Sequence, residues 1–264
     1  MTGPGQTHPQ DWIAQGVPGL YSVVIPAHNE EGNLEATVSA VVAALTQAGI
    51  QHEILVVNDN STDGTAAELE ALEKRFPTLR HVDNAPPNGF GYAVRKGLME
   101  FRGEAVAIVM ADLSDQPADI VTYWKILQEG WDCSFGSRFI KGSKVVDYPP
   151  HKLVLNRFAN LFIRTLFRHG LNDTTNAFKA YRREVISGMQ PFLSPHFNLT
   201  VELPLKAIIR GYSYKVVPIA WHNRKVGVSK LKIREMGSRY LFIVLYCLIE
   251  RLFSRGDFKR RDVP

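Results

Sequence analysis

Between Leu20 and Gly136, short apolar runs alternate with stretches whose apolar residues recur every three or four positions. Tyr21-Ser22-Val23-Val24-Ile25-Pro26 reads as a buried strand stopped by proline, after which Leu34, Val38, Val41, Val42 and Leu45 fall on one helical face. Glu53–Asn58 gives a second strand, about 66–76 a helix, 79–82 a weaker strand and 92–101 another helix. Ala105–Ala111 is the most apolar strand, and Pro117, suited to a first helical turn, opens the helix after it. Asp132–Gly136 adds a fifth strand. Strands apolar throughout, separated by helices, are covered on both faces, so the pattern predicts an α/β fold with a mostly parallel central sheet. In such sheets ligands sit beyond the carboxyl ends of the strands.

After Gly136 the pattern changes. Leu155, Phe158, Phe162 and Leu166 mark a helix over about 152–169, with Arg157, Arg164 and Arg168 on another of its faces. A further helix is expected over 198–210, a strand over 212–220 and a last helix over 230–254. This gives a flexible polar leader over 1–19, a main domain over 20–230 and a C-terminal helix with a basic tail over 231–264. The two cysteines, Cys133 and Cys247, lie in apolar runs without metal-ligand spacing, which suits free thiols in a reducing compartment.

Charge sharpens the picture. The chain carries 31 Lys and Arg against 26 Asp and Glu, a net +5, yet the stretch from His222 to Pro264 alone holds eleven against four. A near-neutral body with a basic tail points to an anionic surface. Nucleic acid is set aside, because the basic residues lack interleaved aromatic stacking platforms. The longest apolar run, Tyr240–Ile249, has ten residues, about half of the ~20 that span a bilayer. Flanked by Arg239 and Arg251, it suits an interfacial helix or one packed on the body or on a second subunit. The expectation is a cytoplasmic protein held peripherally at a membrane surface; nothing in the pattern sets an oligomeric state.

Three strand-end loops are unusually polar: Pro26-Ala27-His28-Asn29-Glu30-Glu31, Asn58-Asp59-Asn60-Ser61-Thr62-Asp63-Gly64-Thr65, and Asp112-Leu113-Ser114-Asp115-Gln116-Pro117. Carboxylates and amides gathered at one sheet edge suit a ribose, a base edge and a divalent cation with phosphates. A dinucleotide fold would want G-x-G-x-x-G after the first strand; Gly89-Phe90-Gly91 comes later and has Val94 in place of the third glycine. A nucleotidyltransferase would carry a glycine-rich basic loop where this chain has His28-Asn29-Glu30-Glu31.

The runs VVIPAHNEEGNL and ILVVNDNSTDGT, the acidic turn at Asp112, FGSRF and RKVGVSK together resemble family-two inverting glycosyltransferases of the GT-A fold. Within them the chain looks like the dolichol-phosphate mannosyltransferase group, which glycosylates polyprenyl phosphate. The resemblance covers about Tyr21 to Lys232. It implies that Pro26, Asn29 and Glu30 line a nucleotide pocket and that Asp59 contacts base or ribose. The family's acidic turn binds Mg²⁺ or Mn²⁺ through the donor diphosphate. Here Met110 stands at its usual first aspartate, Asp112 at the second and Ser114 at the next metal-contact position. A thioether does not hold a hard cation, so Asp112 is the expected ligand, with Ser114 or Asp115 supplementing it. The resemblance further assigns Arg138 and Arg157 to the acceptor phosphate, and Arg224, Ser229 and Lys230 to a signature that closes over the diphosphate. Asp173 would shape the acceptor site or serve the structure of its strand.

Acceptor chemistry separates two readings. A sugar hydroxyl needs a base to take its proton, whereas a phosphate monoester, with a second pKa of about 6, is already largely dianionic. The arginines, and the lack of the acid pair used on hydroxyl acceptors, favour hexose transfer from a nucleotide sugar (GDP-mannose or a UDP-hexose) to a polyprenyl phosphate with inversion. The alternative extends a glycan or another hydroxyl acceptor, with Glu202 as general base.

Overall fold

The computed structural model describes residues 16–223 and 233–260. Its first half follows the expected alternation: β1 (Val17–Ala27), α1 (Leu34–Gln47), β2 (His52–Asn58), α2 (Thr65–Arg75), β3 (Leu79–Asp83), α3 (Phe90–Glu100), β4 (Gly103–Ile108), α4 (Pro117–Gln128) and β5 (Cys133–Ser137). The second half holds β6 (Lys144–Val146), α5 (Pro150–Phe167), β7 (Lys179–Arg182), α6 (Arg183–Gly188), α7 (Leu199–Ile209), β8 (Tyr214–Pro218), β9 (Ala220–His222) and α8 (Ile233–Phe253).

Seven strands form one sheet in the order β3-β2-β1-β4-β7-β5-β8. All neighbours are parallel except β7, which runs antiparallel between β4 and β5. The continuous apolar runs have the predicted cause. Val23, Ile25, Ile54 and Val56 pack with α1, α2 and α4 on one face, while Val24, Leu55 and Val57 pack with α3, α6 and α7 on the other. On that second face Gly97 is required by space: a Cβ there would stand 2.4 Å from a methyl of Val24.

The structure departs from the sequence reading in four places. Residues 17–19 of the leader expected over 1–19 belong to β1, with Val17 paired to Gly103. The strand expected over 212–220 is two: β8 closes the large sheet, and after buried Ile219 the chain leaves it so that β9 pairs with β6 in a separate two-stranded sheet. The short helix α6 and strand β6 have too few residues to show a period. The helix expected over 152–169 ends at Phe167, because Arg168 turns into the left-handed region at φ 51°.

A third apolar cluster joins α5, α7 and α8 through Ile163, Phe167, Val201, Leu205, Ile243, Val244 and Cys247. The C-terminal helix therefore packs on the main domain. Its outward side nonetheless remains apolar, with Leu241, Phe242, Leu245, Ile249 and Leu252 exposed, and Phe253 at 75%. Helix α5 does likewise with Val154, Leu155, Leu161, Phe162 and Phe158, the last at 70%.

Several of the charges buried in this half are paired. On α7, Glu202 and Lys206 are both fully buried and paired at 2.7 Å. The Glu202 carboxylate also accepts the amides of Leu193 and Ser194 at 2.8 and 2.7 Å. Truncating one partner strands the other charge in the core, so Glu202→Ala should cost about 3–5 kcal/mol of stability in urea unfolding. Next to Arg168, burial, reinforced by Arg164 and Arg251, lowers the His169 pKa from 6.5 to about 4. The unfolded ring takes up a proton more readily than the folded one. Its contribution to stability is therefore complete above about pH 6.5 and is lost as pH falls toward 4. Removing this imidazole should leave a shallower acid slope in His169→Gln, measured by urea midpoints across that range.

Candidate active site

The loops after β1 and β2 are stitched together residue by residue. Asn29, in the left-handed region at φ 52°, donates its amide to Ser61 Oγ at 3.0 Å and accepts Thr62 N on Oδ1 at 2.7 Å. Asparagine tolerates that conformation better than most residues. Glu30 N donates to Thr65 Oγ1 and Gly64 N to Glu31 Oε2, at 2.9 and 3.0 Å. Pro26 is buried within β1, opposite Val57 of β2.

Asp59 follows directly at the end of β2 and is 2% exposed. Its carboxylate accepts Asn84 Nδ2 and Gly89 N, both at 2.7 Å, and so ties the loop after β3 to the sheet edge. Four residues expected at the nucleotide, Pro26, Asn29, Glu30 and Asp59, thus share one edge. Asp59 also has a structural task that the sequence did not announce.

The acidic turn lies beside them, beyond β4. Asp112 Oδ1 accepts Ser114 N at 3.1 Å, Leu113 sits at φ 52°, and Thr37 of α1 donates to Ala111 O at 2.8 Å. Asp112 is half-buried, whereas Ser114 and Asp115 are buried. Burial, with Asp112 close by, raises the Asp115 pKa to about 7. Met110 gives its amide to Asp115 Oδ2 at 3.4 Å. Strand β9 returns to this turn: His222 N donates to Ser114 O at 3.0 Å, and Ala220 N to Asp119 Oδ2 at 3.0 Å. Residue 223 therefore stands next to the turn, while Arg224, Ser229 and Lys230 lie outside the described residues.

Arg138 emerges from the end of β5 with a side chain 8% exposed, against fully buried Asp173. The pair is a two-pronged fork: Nε to Oδ2 at 2.8 Å and Nη2 to Oδ1 at 2.7 Å, with Arg138 N adding 2.9 Å. Burial opposes both charges, yet the pairing outweighs it, raising the arginine's pKa and lowering the aspartate's. The Nη1 edge makes no hydrogen bond among the described residues and is the part of the fork left for a ligand. Beneath the pair, buried Lys179 donates to the carbonyls of Thr174 and Asn176. Burial lowers its pKa to about 7.

Arg157 is exposed on α5. Its guanidinium lies 5.0 Å from the Phe139 ring centre, and that of Arg138 lies 5.3 Å from the same ring. Phe139 thus spaces the two arginines. Tyr148 stands 5.6 Å from the Arg138 guanidinium, and its ring is 5.0 Å from Trp221 of β9. This aromatic series connects the acidic turn to the arginine pair. Sequence reasoning missed it, since three aromatics in separate loops carry no spacing signal. Glu202 belongs to neither group: both of its oxygens are committed inside the core.

Comparison with known proteins identifies the family and the fold. The chain is 34% identical over 221 residues to the polyprenol monophosphomannose synthase of Mycolicibacterium smegmatis, covering 79% of this chain and 80% of that one. It is 32% identical over 216 residues to the dolichol-phosphate mannosyltransferase of Pyrococcus furiosus, covering 80% of this chain and 59% of that longer protein. In fold it is similar to glucosyl-3-phosphoglycerate synthase from Mycobacterium tuberculosis in complex with uridine diphosphate, with a TM-score of 0.65 at 20% identity over 95% and 86% of the two chains. The same enzyme with Mn²⁺, uridine diphosphate and glucosyl-3-phosphoglycerate gives a TM-score of 0.66, again at 20% identity. These neighbours establish the GT-A fold. A family model for glycosyl transferase family 2 matches residues 22–189. The match spans more than half of the chain, which therefore belongs to glycosyl transferase family 2 and is a glycosyltransferase.

Proposed function

We propose that this enzyme transfers a hexose from a nucleotide sugar, GDP-mannose or a UDP-hexose, to a polyprenyl phosphate with inversion at the anomeric carbon. The observation that carries the reading is the contrast between Arg138 and Glu202. The arginine is held at the sheet edge with a free Nη1 edge, as an anionic acceptor requires. The carboxylate that a hydroxyl acceptor would need is locked in the core by Lys206 and two amides. The names of the two sequence relatives point the same way.

The donor would enter between the stitched loops, with Pro26, Asn29, Glu30 and Asp59 around its nucleoside and Asp112 toward its diphosphate. Among the described residues no three His, Cys, Asp or Glu side chains gather to hold an ion alone. The donor set instead fits the common arrangement in which Mg²⁺ or Mn²⁺ is shared by one or two carboxylates and the substrate's own phosphates. Asp112 would hold it, with Ser114 beside it, and Met110 would not. When bound, the cation supplies neutralisation of the departing diphosphate. Arg224, Ser229 and Lys230 are proposed to close over that diphosphate.

Arg138 and Arg157 would receive the acceptor phosphate and screen it from the donor's charge. A phosphate oxygen then attacks the anomeric carbon, and the bond to the nucleoside diphosphate breaks with its electron pair leaving on the diphosphate. No proton has to be removed from the nucleophile. The outward apolar faces of α5 and α8, rimmed by Arg157, Arg164, Arg251 and Arg255, would rest on an anionic membrane that carries the lipid acceptor. No helix among the described residues is long and apolar enough to cross a membrane.

Incubation with labelled nucleotide sugars, Mg²⁺ or Mn²⁺ and a polyprenyl phosphate, followed by organic extraction, should place label in the lipid phase and identify the donor. Arg138→Lys, which loses the planar fork, should lower kcat/KM for the acceptor by about 10²-fold with donor affinity unchanged. Asp112→Asn should abolish turnover at any acceptor concentration. Glu202→Gln, checked for intact folding, should retain transfer. Its loss of turnover with donor binding preserved would restore the hydroxyl-acceptor reading. The rate in the wild type should rise through about pH 6 as the acceptor dianion forms.

A further inference from the structure

At the amino ends of β5 and β8, opposite the carboxyl end that carries Arg138, the C-terminal ends of α5, α7 and α8 surround a cavity of about 510 Å³. We propose that this cavity is a second binding site, taking the phosphate headgroup of an anionic lipid other than the acceptor. The proposal rests on the reading of α5 and α8 as the membrane-facing side.

The cavity is lined by Arg168, His169, Arg251, Ser254 and Lys259, together with the pair Arg210 and Glu250. Glu250 is spoken for: it takes both prongs of Arg210, at 2.8 and 2.9 Å. Arg251 gives one nitrogen to the carbonyl of Phe167 at 2.7 Å, satisfying the end of α5, and keeps the rest of its fork. Arg168 and Lys259 are exposed, and neither has a carboxylate partner among the described residues. The lining side chains thus carry a net positive formal charge, part of which meets the carbonyl ends of the three helices.

The second observation is His169. The residue is only 8% exposed and lines the cavity, and neither ring nitrogen makes a hydrogen bond of good geometry, although the Leu171 backbone lies close enough to favour its charged form. A buried polar group without a good partner is costly and calls for something to complete it, whether ordered water, an ion or a ligand. A phosphate oxygen supplies the acceptor that an imidazole N–H lacks here, and it offsets the charge of Arg168, Arg251 and Lys259 together.

Location selects the source of the phosphate. Exposed Phe258 lines the cavity, and Ile249, Leu252 and Phe253 are exposed on the same end of α8; these side chains would lie against acyl chains while the headgroup enters the cavity. Helix α5 has 18 residues and so is about 27 Å long. Arg157 stands in its first half and Arg168 at its end, eleven residues or about 16 Å further along the axis, so the cavity and the acceptor site would meet the same bilayer at two separated points. Two such points fix the orientation of the domain on the surface, which general attraction of basic residues does not.

The test is binding to vesicles of phosphatidylcholine with phosphatidylglycerol, seven to three, by the full chain and two charge-reversed variants. Arg168→Glu/Lys259→Glu should weaken binding more than tenfold. Lys74→Glu/Lys125→Glu, on α2 and α4 across the sheet, should change it by less than twofold. Equal losses in both variants, or none in either, would overturn the cavity as a site. A second arm titrates the wild type with inorganic phosphate and follows the His169 ring resonance, identified by its loss in His169→Gln. A saturable shift supports the cavity as a phosphate site, and its absence overturns it whatever the vesicles do. A shift with no vesicle binding by the wild type would overturn the lipid source and the membrane reading together.

Discussion

The fork between Arg138 and Asp173 is the contact on which the site depends. A guanidinium taken out of water is held only if a carboxylate meets it with good geometry. Asp173 does this with both oxygens, and it also accepts the arginine's own amide. The arrangement leaves one edge of a rigid cation fixed at the end of β5. Asn160 of α5 accepts the amide of Thr174 at 2.6 Å and donates to Thr175 Oγ1 at 3.0 Å, so the turn that carries Asp173 is clamped to the helix that carries Arg157. The two arginines are therefore parts of one packed unit rather than independent surface charges.

The remaining parts fit the requirement of the proposed reaction, that two phosphorylated molecules approach at one point. The donor side is built by short loops that hydrogen-bond to each other, so that little conformational freedom remains in their backbone. The acidic turn is secured from both sides, by Thr37 of α1 and by His222 of β9. Because β9 leaves the large sheet to reach that turn, it carries Trp221 to Tyr148 and closes the distance to the arginines. The antiparallel β7 makes this possible: inserted between β4 and β5, it separates the acidic turn from Arg138 by one strand.

Much of this was legible in the sequence, for identifiable reasons. Runs such as Ile54-Leu55-Val56-Val57 have no polar face, and burial on both sides is the direct consequence. The three polar loops could be placed at one edge because parallel strands put all their carboxyl ends together. Long-range partnerships were not legible. Nothing in Val201-Glu202-Leu203 distinguishes a base from a core ion pair until Lys206, one turn on, and the amides of Leu193 and Ser194 are seen around it. Asp59 reads as a ligand contact, while its ties to Asn84 and Gly89 depend on a loop 25 to 30 residues away. The break between β8 and β9 falls just after Pro218, a signal outweighed in the sequence reading by the apolar residues Val216, Val217, Ile219 and Ala220 on either side of it. His169 gave no sign either, since its significance lies in helix ends brought together only by the fold.

The most direct measurement is a structure of the enzyme with a nucleoside diphosphate, a divalent cation and a short-chain prenyl phosphate. The account predicts the acceptor's phosphate oxygen about 2.7–2.9 Å from an Arg138 nitrogen, with the fork to Asp173 intact. A phosphate bound elsewhere, with Arg138 meeting Asp173 alone, would contradict it.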